Sequence, residues 1–345
     1  MKAQMLTAPS HLEYTEVDTP SPGTDDVLVR IRACGICGSD IHGWDGSSGR
    51  RRPPLIMGHE AAGEIAAVGL GVADWAIGDR VTFDSTIYCG RCRFCQQGRP
   101  NLCLDRRVVG VSPPEYKQHG AFAEFVAVPA RILHRLPAAL SYAHAAFAEP
   151  TAVAIHAVRQ AGDITGATAV VVGAGMIGLL VVQALRWAGA EKIIAVDLAA
   201  NRLSLARELG ATHSLNSADA DLGTRIQDIC GGLGADYCFE VVGISPTLVL
   251  ALELLRRGGV CVAVGNLAAA TKEFPLQSLV TRELTLKGSC ASAGEYAVAL
   301  DLLSRGIIQV EPLTSAIAPL ADAGTWFEKL SGPEGRDYLK VILTP

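Results

Sequence analysis

A chain of 345 residues with 49% hydrophobic and 19% charged side chains is long enough for two cores and too apolar to be disordered. Its formal net charge of −5 and sequence pI near 5.9 argue against a nucleic-acid partner, which demands a basic surface. Met1 to His11 has no apolar run of the kind a secretory signal needs, so the ten cysteines are expected as reduced thiols or metal ligands of a cytoplasmic protein. The nearly charge-free stretch Ala169 to Leu185 is broken by Gly173, Gly175 and Gly178, which reads as a buried strand and helix, not a membrane span.

Taken in order, the first half is strand-like and irregular. Val27–Arg32, Glu64–Val68, Asp79–Val81 and Phe122–Val128 read as short strands separated by glycines, the pattern of a small antiparallel, barrel-like domain. Arg50-Arg51-Arg52 reads as a solvated loop before Pro53-Pro54, with a handle for an anionic substrate group as the sharper alternative. The character changes after Pro150. A helix over 151–161 is followed by a strand at 169–172, a helix at 176–187, a strand at 192–196 and a helix at 201–209. The series continues with a strand at 236–242, a helix at 246–257 and strands at 260–264 and 284–287, which predicts a parallel sheet with helices on both faces. The tail carries a helix at 296–304 and a β-like run at 338–343, and composition does not say which domain it joins.

Cys89, Cys92, Cys95 and Cys103 follow C-x2-C-x2-C-x7-C in a polar, glycine-containing loop, the spacing of a closed tetrahedral zinc site; an iron–sulfur cluster or paired disulfides are the alternatives. Arg91, Arg93 and Arg99 stand near to offset the thiolate charge. Upstream, Cys37, His59 and Glu60 supply the mixed donor set of an open, reactive zinc site. Cys34 and Cys37 also form C-x2-C, so a redox pair is the alternative there. Adjacent strand residues point to opposite faces, so His59 and Glu60 share a metal only if the backbone turns at Gly58. Glu149, set among apolar residues before Pro150, is the further carboxylate for this site. An open zinc site lowers the pKa of a bound alcohol, and Ser39 with His42 offers the proton a way out.

Gly173-Ala174-Gly175-Met176-Ile177-Gly178 matches G-x-G-x-x-G directly after a strand and at the start of a helix, as dinucleotide binding requires. Asp197 ends the next strand nineteen residues beyond Gly178, where an acid meets the ribose. A 2′-phosphate about 4 Å from that acid would be repelled by several kcal/mol at an effective dielectric near 20. Arg202 offsets only part of this, which predicts NAD over NADP.

These motifs together, Cys37-Gly38-Ser39-Asp40, Gly58-His59-Glu60, the four-cysteine lobe and the glycine turn, resemble the zinc-containing medium-chain dehydrogenase/reductase superfamily over essentially the whole chain. The resemblance implies an α/β protein with a GroES-like catalytic domain at 1–152, including a structural zinc lobe at about 86–106. A Rossmann domain at 153–288 and a return to the catalytic domain at 289–345 complete it. It further implies a homodimer or homotetramer, two zinc ions per chain, and Glu149 either binding the catalytic zinc or holding its water. Glu149-Pro150 is similar to the polyol and threonine dehydrogenase branch. The Arg-Tyr pair with which sorbitol dehydrogenases hold substrate hydroxyls is replaced here by Ser289-Cys290-Ala291-Ser292-Ala293. The expected activity is oxidation of a secondary hydroxyl of a polyol or sugar alcohol, free or phosphorylated, with hydride passing to NAD. The alternatives are a threonine 3-dehydrogenase, a small diol dehydrogenase, or a non-catalytic zinc-stabilised dinucleotide-binding protein.

Overall fold

The computed structural model describes residues 1–266 and 274–345, which divide into two compact units. The first comprises Met1–Glu149, Tyr296–Gly306 and Val310–Pro345; the second comprises Pro150–Glu295 and Ile307–Gln309.

In the first unit, a seven-stranded sheet runs in the order Leu133–Arg135, Arg80–Phe83, Glu60–Val68, Asp26–Gly35, Lys340–Thr344, Thr314–Pro319, with Phe125–Pro129 also paired to Asp26–Gly35. Along Asp26–Gly35, Val29, Ile31 and Ala33 face inwards while Arg30 and Arg32 are exposed, the alternation of a half-buried strand. Its last residues, Cys34 and Gly35, are buried because Ile342 and Leu343 pair with them. The core beneath holds Ile31, Leu55, Met57, Ile65, Phe83, Phe122 and Phe327, all at most 2% exposed. A smaller sheet, His11–Glu16, Lys2–Ala8 and Leu55–Ile56, completes the unit's larger strands.

The second unit is a parallel six-stranded sheet ordered His213–Asn216, Lys192–Asp197, Thr168–Val172, Ala235–Glu240, Leu255–Ala263, Thr285–Gly288. Val170, Val171, Ile194, Val196, Phe239 and Val262 are at most 2% exposed, as runs of apolar residues must be when helices cover both faces. The strand order reverses at Thr168–Val172, and crevices at such switch points are where α/β sheets take their ligands.

Several boundaries differ from those the sequence predicts, and three of them have a reason that the structure shows. The strand expected at 64–68 begins at Glu60, because Gly35 pairs with Glu60. The helix expected from residue 151 starts at Ala148, so Glu149 and Pro150 lie in its first turn, where proline's missing N–H costs nothing. The helix expected to reach residue 257 stops at Glu253. The strand Leu255–Ala263 then starts early, with Leu255 opposite Ala235 and an irregularity in register before Tyr237.

Candidate functional site

Cys37 caps the short helix Gly38–Trp44, and its N–H donates to Asp40 Oδ2 at 3.1 Å, closing the turn. His59 ends the segment before the strand Glu60–Val68, and Glu60 opens that strand. Gly58 has φ +92°, and a Cβ there would sit 2.7 Å from the Phe122 ring, so the turn that aims both side chains one way requires glycine. The result is a donor cluster: one ligand atom each from Cys37, His59 and Glu60, all within 4.8 Å of one another. A Cβ on Gly35 would collide with the Glu60 carboxylate, so that glycine too makes room for the site.

The electrostatics of this cluster suit a cation. Burial alone would lower the His59 pKa, but the Asp40 carboxylate, with Nδ1 3.4 Å from Oδ1, and Cys37 together hold it well above the ordinary value. Burial alone would likewise lower Lys340, yet Glu60 and Cys37 raise it. Lys340, 3% exposed, donates to Glu60 Oε2 at 2.5 Å and to the Ile36 carbonyl at 3.0 Å. A thiol, an imidazole backed by a carboxylate and a second carboxylate, in a field that draws protons, fit zinc.

Glu149 stands outside the three-donor cluster. It accepts a hydrogen bond from Ser85 Oγ at 3.3 Å. Desolvation is the main cause that pushes its carboxyl up to about 7; Glu60 and Asp84 add to the rise and His59 opposes it. Ser39 Oγ donates to Cys37 Sγ at 3.3 Å and accepts from Arg51 Nη2 at 3.0 Å. His42 lies one turn on from Ser39 on the same helix face, partly exposed, with Nδ1 4.0 Å from Asp45 Oδ2.

The arginine run divides. Arg50 and Arg52 are exposed, but Arg51 is buried and its Nη2 also donates to Asp40 Oδ1 at 3.1 Å. This corrects the solvated-loop reading for Arg51 and removes it as a handle for a substrate anion. Gly43 is the reason it fits, since any Cβ there would overlap the arginine side chain. Cys34 is buried and forms no disulfide with Cys37, and burial holds its thiol far above its ordinary pKa, unlike a reactive redox cysteine.

Cys89, Cys92, Cys95 and Cys103 present four sulfurs within 4.8 Å of one another and form no disulfide. Cys89 N–H donates to Cys103 Sγ and Cys92 N–H to Cys89 Sγ, both at 3.3 Å, the way backbone amides support thiolates. Backbone N–H groups of Cys95 and Leu104 bring Cys92 down to about 6. Desolvation and the 3.5 Å approach of Cys92 push Cys95 up to about 12. The lobe's one α-helix, Arg93–Gln96, buries no residue, so little besides the sulfurs and Asn101 is buried between Cys89 and Cys103.

In the second unit the glycine turn has the expected form. Gly173 has φ +100°, Gly175 caps the helix Met176–Trp187, and a Cβ on Gly178 would run into the Gly173 carbonyl. Met176 and Ile177 open that helix. Asp197 Oδ2 accepts from Ala174 N at 2.7 Å and Oδ1 from Ala199 N at 2.9 Å, so the strand-end acid is bonded into the turn itself. Arg202 reaches over Gly175, with Nη1 3.9 Å from where a Cβ would stand.

Sequence reasoning missed three members of the candidate metal centre. Asp40 had a local signal, a carboxylate three residues after the capping Cys37. Arg51 had a faint one, Gly43 in a helix. Lys340 had none.

Models of known families match two segments: the alcohol dehydrogenase GroES-like domain over residues 23–138 and the zinc-binding dehydrogenase domain over residues 177–305. The chain is similar to D-xylulose reductase A of Aspergillus niger, 35% identical over 329 residues, covering 92% of this chain and 90% of the relative. It is 35% identical over 320 residues to sorbitol dehydrogenase of Bacillus subtilis (strain 168), covering 91% and 89%. A Sinorhizobium meliloti 1021 dehydrogenase solved bound to NADP superposes with a TM-score of 0.90 at 34% identity, covering 100% of this chain and 99% of that one. Among the described residues no helix is long and apolar enough to cross a membrane. With a GroES-like unit, a parallel Rossmann sheet and both motif sets in place, the chain belongs to the zinc-binding medium-chain alcohol dehydrogenase family, whose members are zinc- and nicotinamide-linked oxidoreductases.

Proposed function

We propose that this protein oxidises a secondary hydroxyl of a polyol or sugar alcohol to a ketone, with hydride transfer to NAD. The observation that carries the reading is the cluster of Cys37, His59 and Glu60 within 4.8 Å, with the desolvated Glu149 beside it instead of another thiol. The names of the D-xylulose and sorbitol relatives support the substrate class.

In this reading Cys37, His59 and Glu60 hold the catalytic zinc, Glu149 holds its water, and Cys89, Cys92, Cys95 and Cys103 hold a structural zinc, two ions per chain. When bound, zinc supplies a Lewis acid that makes an alcohol proton easier to remove. Asp40 fixes the tautomer and orientation of His59. Ser39 receives the substrate proton at Oγ, but its own proton points at Cys37 Sγ, so it must rotate to pass one on towards His42. His42, partly exposed beside Asp45, releases it to solvent. Glu149, with its carboxyl pushed up to about 7, exchanges a proton near neutral pH.

NAD is favoured because Asp197 is held against the glycine turn, and the residues that follow, Leu198, Ala199, Ala200 and Asn201, bring no cation before Arg202. A homo-oligomer belongs to the same reading; the edge strand Thr285–Gly288 of the second unit exposes all four residues. The test is turnover on a panel of polyols, small diols and threonine with NAD and with NADP, followed by nicotinamide absorbance, alongside a zinc count. Tight cofactor binding with one zinc ion per chain and no turnover on any secondary alcohol would replace this reading with that of a binding protein.

A further inference from the structure

The strand that leads into the glycine turn, Thr168–Val172, lies between Lys192–Asp197 and Ala235–Glu240, and each neighbour ends in a carboxylate. Asp197 holds the turn from one side through Ala174 N. On the other side Val172 is in register with Glu240, which is 1% exposed. Its Oε1 accepts from Val242 N at 2.9 Å, Gly243 N at 2.8 Å and Thr247 Oγ at 2.7 Å. Its main-chain carbonyl accepts from Val264 N and Gly265 N at 2.8 and 3.0 Å. The remaining amide of the turn, Val241 N, goes to the Val172 carbonyl at 2.9 Å. Glu240 therefore ties together the ends of three adjacent strands at the switch point.

The tie has a direct consequence for the glycine turn. Held by Glu240, Val242 packs so tightly on Gly173 that a Cβ on Gly173 would lie 2.6 Å from Val242 Cγ2. Gly243 takes φ +88°, and Gly265 must be glycine because a Cβ would collide with Gly243 N. Buried carboxylates are costly unless they are hydrogen-bonded, and the three donors on Glu240 Oε1 hold this geometry.

We propose that Glu240 is a positioning residue for the dinucleotide, holding Val242 and Gly243 as the wall that presses on Gly173 while Asp197 fixes the turn opposite. The proposal rests on the cofactor reading above. It acts on binding, not on the reacting atoms, and it has a sign. Removing a negative charge near an anionic pyrophosphate strengthens binding if charge is all that matters; releasing the wall weakens it.

The experiment uses zinc-loaded enzyme and two variants, Glu240→Gln and Thr247→Val. Dissociation constants are measured by fluorescence titration with NADH or NADPH, whichever wild type binds more tightly, and by calorimetry with ADP-ribose. We expect Glu240→Gln to weaken both ligands about 10-fold and Thr247→Val a few-fold. KM for the oxidised cofactor should rise by the same factor, with kcat, zinc content and cooperative melting retained, a split that a purely structural role does not produce. Binding that is tighter, or within about twofold of wild type in both variants, overturns the proposal. If Glu240→Gln does not melt cooperatively, Thr247→Val decides alone, and an unchanged dissociation constant there overturns it. A wild type that binds neither dinucleotide overturns the cofactor reading and this one with it, whereas normal wild-type binding with unaltered variants overturns this one alone.

Discussion

Replacing Lys340 by methionine tests whether the metal centre is built as a cation site. Lys340 and Glu60 form a buried pair, 3% and 1% exposed, and the same ammonium donates to the Ile36 carbonyl. Methionine fills most of the volume but leaves Glu60 as an uncompensated carboxylate beside Cys37. Breaking a buried pair from one side costs about 3–5 kcal/mol. For a unit of this size each kcal/mol moves the melting temperature by about 2–4 °C, so metal-stripped Lys340→Met should melt roughly 6–20 °C below metal-stripped wild type. With zinc restored the gap should narrow, because the ion supplies the counter-charge that the ammonium gave. The assay is scanning calorimetry of both proteins, each with chelator and with zinc. A metal-stripped variant melting within about 2 °C of wild type, or a gap that zinc does not narrow, would refute the reasoning.

Four further outcomes follow from the same geometry. Glu149 has a folded pKa of about 7 against an ordinary 4.5, so the fold favours its neutral form and the penalty for ionising it appears only as pH rises through that window. In chelator, Glu149→Gln should therefore equal wild type in thermal stability near pH 4 and exceed it at pH 8; equal melting at both would contradict the placement of the carboxyl. Asp197→Ser should lower the ratio of NAD to NADP specificity constants by at least about tenfold, read from initial rates, since the repulsion of a 2′-phosphate is gone. Cys103→Ser should lower the zinc count by one and open the 89–103 loop to limited proteolysis, because its helix buries nothing and its four sulfurs lie together. Gly58→Ala faces both φ +92° and the Phe122 ring, and should cost about 1–3 kcal/mol in denaturant unfolding together with loss of zinc from the Cys37 site.

What the chain discloses before folding depends on how far apart the partners lie. The second unit's early elements are legible because their information is local: the helix Met176–Trp187 coincides with its predicted bounds, since a glycine turn starts it and an apolar run of buried residues sustains it. The four-cysteine lobe is legible for the same reason, all its donors falling within fifteen residues. The boundary of Leu255–Ala263 is not, because it is set by Leu255 pairing with Ala235 on a neighbouring strand, a contact that no window of sequence contains.

The candidate metal centre shows the same division inside one site. Its donors can be read, because Cys37, His59 and Glu60 stand in short motifs around glycines whose purpose is to free the backbone. Its cations cannot. Arg51 looks like one of three surface arginines until Gly43, eight residues earlier, admits it beneath the helix to Asp40. Lys340 reaches Glu60 across 280 residues of chain, on a strand whose alternation gives no hint that a lysine points inwards. Donor chemistry is selected locally, by which atoms a metal accepts, whereas the charge balance that makes a buried donor set tolerable is settled only when the sheet closes. A sequence reading of a metal site should therefore be expected to list its ligands and to miss its counter-ions. Glu240 obeys the rule from the opposite direction: an unremarkable strand-end acid becomes consequential only because Val172 and Val242 fold against it.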